Sequence, residues 1–422
     1  MIMKKIFSTL FIFIGVLGAQ AQDALNLIAE NPDRAANNMH SYEFVEVTDT
    51  PAPEGFVPFY ISHYGRHGSR YELNTSFSRN AIAGFRAADS LGLLTDLGRQ
   101  LYADVVAVTE THEGMVGMLS PRGAREHRTI AARMAGRFPA VFQNPARREV
   151  AALSSTGQRC IISMANFTMS LKEQMPDVDI SFTTGEKFMS YIAPPMPYPR
   201  IKGLWDGADY KRYNYGRFMA QLFTDTLKVK SVIEHTEPFV RSVYSTGQLC
   251  QDVDYLGVEI FRKYFTPEEL ESLWARGNDN IYLMWAGSVE NGENVKNRIK
   301  PLLKDFVEKA DEAVKSGSSR AADLRFGHDT GVLPLFALLG IDTKDGKAYK
   351  CYEAAKNGWY AFERIPMATN VQFIFYKDAK GTVLMKLLYN EQETLLENVP
   401  AYQGPYYRWE DVKAWFKSLY EN

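Results

Sequence analysis

The chain has 422 residues, with 48 basic side chains against 50 acidic ones and a formal net charge of -2. That balance excludes a basic surface for nucleic acid, so any anionic ligand must be held by a local cluster. A hydrophobic fraction of 45% is that of an ordinary globular protein, and the length exceeds what one core fills, which implies a large domain plus a second unit.

Met1-Ile2-Met3-Lys4-Lys5, the apolar run Ile6 to Gly18 and the small-x-small site Ala19-Gln20-Ala21 have the layout of a secretory signal peptide cut after Ala21. The run is shorter than the roughly 20 residues a membrane span needs. No later segment is both long and uncharged, so the mature chain is expected to be periplasmic or secreted, with no membrane span. Cys160, Cys250 and Cys351 are far apart, which allows one disulfide or three buried thiols but no disulfide framework. Nothing in the sequence sets the oligomeric state.

A strand followed by a turn and a helix is met three times. Val57 to Ser62 reads as a strand and ends at His63-Tyr64-Gly65-Arg66-His67-Gly68-Ser69-Arg70. Val150 to Leu153 is followed by Ser154-Ser155-Thr156-Gly157 and a helix beginning near Gln158-Arg159. Leu324 to Phe326 is followed by Gly327-His328-Asp329-Thr330-Gly331 and a helix from Val332 to Leu339 that stops at Gly340. Alternating strands and helices predict an α/β fold with a mostly parallel central sheet, whose ligands gather beyond the carboxyl ends of the strands.

Between the second and third units, Ala193 to Pro199 is a stiff proline-rich stretch. Helical signals follow it. Thr266-Pro267-Glu268-Glu269 has capping-box order, and Val295, Ile299, Leu302, Phe306, Ala310 and Val314 recur at helical spacing. The expected organisation is a leader at 1–21, a first core part at 22–172, a mainly α-helical cap at 173–305 and a second core part at 306–422. The cap is expected to lie over the active site. Near the C-terminus, Asn370 to Tyr376 and Thr382 to Tyr389 read as a hairpin at one sheet edge.

A phosphate monoester repels nucleophiles by its own charge, so its catalyst needs fixed positive donors, a nucleophile and a proton source in one pocket. Arg66-His67-Gly68-Ser69-Arg70 places two guanidinium groups and an imidazole at a strand end. Arginine suits the task because its planar fork pairs with phosphate oxygens and stays charged. Gly68 is expected to let the backbone approach the anion. Arg159 adds a third guanidinium at a helix start, where N–H groups also point outward. His328 and Asp329 add a donor and a carboxyl group. The arginine run along residues 122–137 reads as a solvated helix face, with Glu126 and His127 as structural residues. No cluster has metal-ligand spacing, so neither a metal nor another cofactor is implied.

The Arg66–Arg70 motif, with Gly327-His328-Asp329 far downstream, resembles the signature pair of the histidine acid phosphatase and phytase branch of the histidine phosphatase superfamily. Leu119-Ser120-Pro121-Arg122-Gly123 with Glu126-His127 is similar to the segment linking that family's first two strands. Ser154-Ser155 with Arg159-Cys160 is similar to its second arginine motif, notably as found in multiple inositol polyphosphate phosphatases. The resemblance implies a phosphomonoesterase acting on a phosphorylated small molecule, with inositol phosphates, sugar phosphates and nucleotides all open. His67 would form a phosphohistidine, Arg66, Arg70, Arg159 and His328 would clamp phosphoryl oxygens, and Asp329 would supply the proton. Glu72, Leu153 and the order His328-Asp329-Thr330 depart from the family pattern at points that bear on substrate. A non-catalytic phospholigand-binding protein and a mutase-like phosphoryl transferase are the alternatives.

Overall fold

The computed structural model describes residues 23–210 and 213–421; the expected leader lies outside them. Among the described residues, nine strands form one sheet: β1 (Val57–Arg66), β2 (Glu149–Ser154), β3 (Asp179–Thr184), β4 (Arg320–Gly327), β5 (Asn370–Lys377), β6 (Val383–Tyr389), β7 (Gln392–Thr394), β8 (Ala401–Gln403) and β9 (Tyr406–Arg408). The order is β3-β2-β4-β1-β5-β6-β9-β8, with β7 also paired to β6. Strands β3, β2, β4 and β1 are parallel, and β5 turns the sheet antiparallel. The expected parallel sheet flanked by helices is therefore present. The C-terminal hairpin, expected at an edge, lies inside the sheet, because β9 and β8 extend it beyond β6. Three-residue strands carry too little alternation to be read beforehand.

Side chains alternate between two buried faces, as the two-residue period of a strand requires. Val371, Phe373 and Phe375 of β5, with Met385 and Leu387 of β6, pack against the helices Gly292–Val314, Asp329–Leu339 and Trp409–Glu421. Ile374, Leu384 and Leu388 face the opposite way, toward the helices Pro121–Arg137 and Gln158–Gln174. On the Pro121–Arg137 helix, the arginines expected to be merely solvated have partners: Arg128 pairs with Glu173, Arg133 with the buried Glu391 and Arg137 with Asp49.

A third apolar cluster is the cap. It gathers Leu27 and Ile28, Phe85 and Ala88, Leu101 and Val105, Phe218, Phe239 and Trp274 from well-separated stretches. The cap therefore draws on helices at Ala24–Glu30, Arg79–Ser90 and Asp96–Glu110, all N-terminal to the expected boundary. Conversely, β3, within 173–305, and the Gly292–Val314 helix, which straddles the expected boundary at 305, belong to the sheet and its flank. Periodicity shows that a helix has an apolar stripe but not which surface covers it. The β3 edge strand is mostly exposed and lacks the apolar alternation that would have marked it. The capping box at Thr266–Glu269 does form, and the helix it opens, Pro267–Trp285, runs from the cap into the core cluster that holds Tyr282 and Leu283.

The carboxyl ends of β1 and β4 are locked by Tyr64. Its hydroxyl donates to Ile192 O at 2.6 Å and accepts from His328 N at 3.1 Å. A Cβ on Gly331 would lie 1.9 Å from that hydroxyl. Gly331→Ala is accordingly expected to cost about 1–3 kcal/mol through overpacking. A thermal unfolding midpoint equal to that of the parent chain would show that Tyr64 yields freely.

Candidate active site

β1 ends at Arg66, and the chain then turns along the carboxyl end of β4. His67 N donates to Gly327 O at 2.9 Å, and Ala368 N donates to His67 O at 3.0 Å. The main chain of His67 is thus pinned between the two segments that the sequence leaves far apart. Behind it, Glu126 is buried and accepts from Ser69 N and Ser69 Oγ, each at 2.8 Å, and from Tyr42 N at 3.1 Å. Gly68 is needed for a different reason from the one expected: a Cβ there would meet Gly123 Cα and O at 2.6 Å. The constraint is contact with the Pro121–Arg137 helix.

The six expected residues converge. The His67 and His328 rings lie 5.5 Å apart between centroids, nearly perpendicular. Arg66 is wholly buried; its Nη1 donates to Asn38 O at 2.6 Å and Ile365 O at 2.8 Å, and its Nη2 lies 3.0 Å from Asp329 Oδ2. Arg159 Nη2 lies 3.2 Å from His328 Nδ1, and Arg70 Nη1 donates to Tyr71 O. Arg66 Nε, Arg70 Nε and Arg159 Nε are each buried without a hydrogen-bond partner. Unpaired buried donors are costly in a protein interior, and three positively charged ones around a single imidazole are satisfied most simply by an anion.

The tautomers follow from which atoms can donate. Gly68 O can only accept, so the His67 Nδ1 at 2.9 Å carries the proton and Nε2 keeps its lone pair. Arg159 can only donate, so His328 Nδ1 accepts and its Nε2–H donates to Ser155 Oγ at 2.9 Å. Burial, reinforced by Arg66 and Arg159, pushes the His67 pKa well below its ordinary value. Burial and then Arg159 bring His328 down to about 4. For Asp329, burial pushes the carboxyl up, but Arg66, His328 and Arg70 reverse this and leave it below the usual range. At neutral pH the site therefore holds two neutral imidazoles and an ionised carboxylate.

Two contributors escaped the sequence reading. Asn38 Nδ2 donates to Asp329 Oδ2 at 3.1 Å, and Ser155 orients His328. Ser155 lay inside a motif and was within reach of sequence reasoning; Asn38 carried no signal. Glu126 and His127 are buried as structural residues. Cys160, Cys250 and Cys351 are separate buried thiols. Among the described residues, no group of three His, Cys, Asp or Glu side chains is placed to hold a metal ion.

The fold is that of the histidine acid phosphatases and phytases. Crystal structures of a multiple inositol polyphosphate phosphatase from Bifidobacterium longum with inositol hexasulfate and of a phytase from D. castellii superpose with TM-scores of 0.72 and 0.69. The first is 19% identical, covering 91% of this chain and 97% of that one; the second is 13% identical, covering 92% and 85%. Among curated proteins, the chain is similar to multiple inositol polyphosphate phosphatase 1 of Gallus gallus, 23% identical over 412 residues, which is 88% of this chain and 84% of the relative. The Homo sapiens protein of the same name matches at 24% over 415 residues, covering 85% and 78%. No protein-family model matches the chain.

His127 packs against Phe167 and Phe326 behind the pocket, and burial lowers its pKa to about 3. An unfolded histidine titrates near 6.5. Between the two values the unfolded chain binds the extra proton, so the stability present above about pH 6.5 is lost as the pH falls toward 3. His127→Leu is expected to flatten the fall of the unfolding midpoint between about pH 6.5 and pH 4.5. Parallel curves for the two proteins would contradict this.

Proposed function

We propose that this chain is a phosphomonoesterase of the histidine acid phosphatase type, acting through a phosphohistidine on His67. The observation that carries the reading is the set of buried, unpartnered N–H groups on Arg66, Arg70 and Arg159 around an imidazole that keeps its Nε2 lone pair. In the first step, His67 Nε2 attacks phosphorus, the ester P–O bond breaks, and Asp329 protonates the departing alkoxide. In the second, water attacks the phosphohistidine and gives its proton to the Asp329 carboxylate, which frees phosphate and restores His67. Arg66, Arg70 and Arg159 neutralise the phosphoryl oxygens throughout. His328 Nδ1 accepts from Arg159 Nη2 and so holds that guanidinium in place beside the phosphoryl site.

Inositol phosphates are the proposed substrate class. The support is the likeness along most of the chain to proteins named as inositol polyphosphate phosphatases. Export rests on the leader at 1–21, and among the described residues no helix is long and apolar enough to cross a membrane.

Phosphate release from p-nitrophenyl phosphate and from phytate tests the reading. His67→Ala is expected to abolish turnover. Asp329→Asn should lose about 10²–10⁴ in rate on esters with poor leaving groups and much less on p-nitrophenyl phosphate. Stoichiometric binding without release of phosphate would sink the enzyme reading.

The pH profile follows from the resting charges. Asp329 is ionised in the free site, so the proton it gives to the leaving group arrives with the substrate monoanion. Values of kcat/KM are expected to fall as pH rises through the second pKa of the ester, about 6. The midpoint should track that pKa from one ester to the next. A profile still climbing in alkaline solution would rule out this proton source.

A further inference from the structure

The 3₁₀ segment Pro32–Met39 is broken at Asn37, whose φ of 56° and ψ of -127° are conformations that non-glycine residues rarely adopt. The break lets two neighbouring asparagines face different ways. Asn37 Nδ2 donates to Trp274 O of the Pro267–Trp285 helix at 3.3 Å, at a point where a Cβ on Gly277 would lie 2.8 Å from that nitrogen. Asn38 reaches into the active site instead. Its main-chain oxygen accepts from Arg66 and its side-chain amide donates to Asp329. One residue thus serves the cation and the anion of a buried ion pair, each with the group of matching polarity. The amide must present nitrogen, because an oxygen there would face an ionised carboxylate.

We infer that Asn38 is a positioning residue for proton transfer, holding Asp329 Oδ2 in the carboxylate form that the second step needs and tying that carboxylate to the cap. The inference rests on the proposed function for its catalytic meaning, but the hydrogen bond can be tested without turnover. Asp329 is faced by Arg66 and Tyr64 from β1, by Arg70 from the following loop, by Arg159 and Cys160 from the Gln158–Gln174 helix, and by its neighbour His328. Its Oδ1 accepts from Thr330 N at 3.0 Å. The cations favour the anion through space, whereas Asn38 and the Thr330 amide do so by direct donation. A donor to the charged form lowers a carboxyl pKa, so its removal raises that pKa. Substitution at Asn38 leaves its main-chain oxygen, and therefore the clasp on Arg66, in place.

The test uses the full chain labelled with ¹³C at aspartate carboxyls, with Asp329→Asn identifying the signal of interest. Between about pH 7 and pH 4.5 the parent carboxyl is expected to stay ionised and its signal flat. Asn38→Asp keeps the shape but sets a second carboxylate beside the first, so the pair should share a proton and titrate within that range. Asn38→Ala, lacking the donor, should move the alkaline limb of kcat upward by about 0.5–1 pH unit. It should also raise the fraction of enzyme trapped as phosphohistidine by alkaline quench, because the second step slows. A flat Asp329 signal in Asn38→Asp, or an unmoved limb and unchanged trapped fraction in a folded Asn38→Ala, overturns the inference. Absence of turnover in the parent chain counts against the phosphatase reading alone, since the carboxyl titration still decides the role of Asn38.

Discussion

A guanidinium with no access to solvent is the constraint from which the site is built. Arg66 caps the end of β1 with its side chain wholly buried, where an unpaired charge costs several kcal/mol. It is held by two main-chain carbonyls, Asn38 O and Ile365 O, and by the Asp329 carboxylate. Those groups come from the N-terminal segment, the loop before β5 and the helix after β4. Satisfying one charge therefore draws three distant segments onto the carboxyl end of the sheet. Its Nε is left without a hydrogen-bond partner in the protein.

The electrostatic consequence is a pocket poised for an anion. Burial, reinforced by the three guanidinium groups, keeps His67 and His328 neutral, which leaves His67 a nucleophilic nitrogen at acidic pH. The field of the same arginines favours the Asp329 carboxylate despite burial, with Arg66 and then Arg70 acting against desolvation and its pKa left below the usual range. An incoming phosphoryl group cancels much of that field. The resting site is then a base by default and an acid only when the substrate brings a proton, a division of roles suited to a reaction in two half-steps.

The sequence was most legible where local rules operate. The second and third expected strands, which end within a residue of where they were expected, at Ser154 and Gly327, the helix start at Gln158 and the capping box at Thr266 follow from patterns a few residues long. The Gly340 stop does as well, since it takes the left-handed C-cap that glycine adopts without strain. By contrast, β1 runs four residues past its expected end to Arg66. The limits of the cap were not legible, because the Arg79–Ser90 and Asp96–Glu110 helices read like any amphipathic helices. Their apolar faces meet Phe223 and Phe239, more than a hundred residues away in the chain. Asn38 was invisible for a related reason: an isolated asparagine has no pattern, and its role comes from a kink at its neighbour and from partners in other segments.

By itself, the sequence determined the chemical inventory and its local presentation: an arginine-flanked imidazole at one strand end, a third arginine at a helix start and a His-Asp pair at another strand end. Backbone propensities and short-range turn chemistry act over a few residues, so they could be read directly. Only the tertiary structure decided that His67 and Asp329 share a pocket, that Gly68 answers to a neighbouring helix, and that an N-terminal asparagine grips the carboxylate. Those outcomes depend on long-range burial and on pairing each buried charge, and neither is encoded in any single stretch of chain.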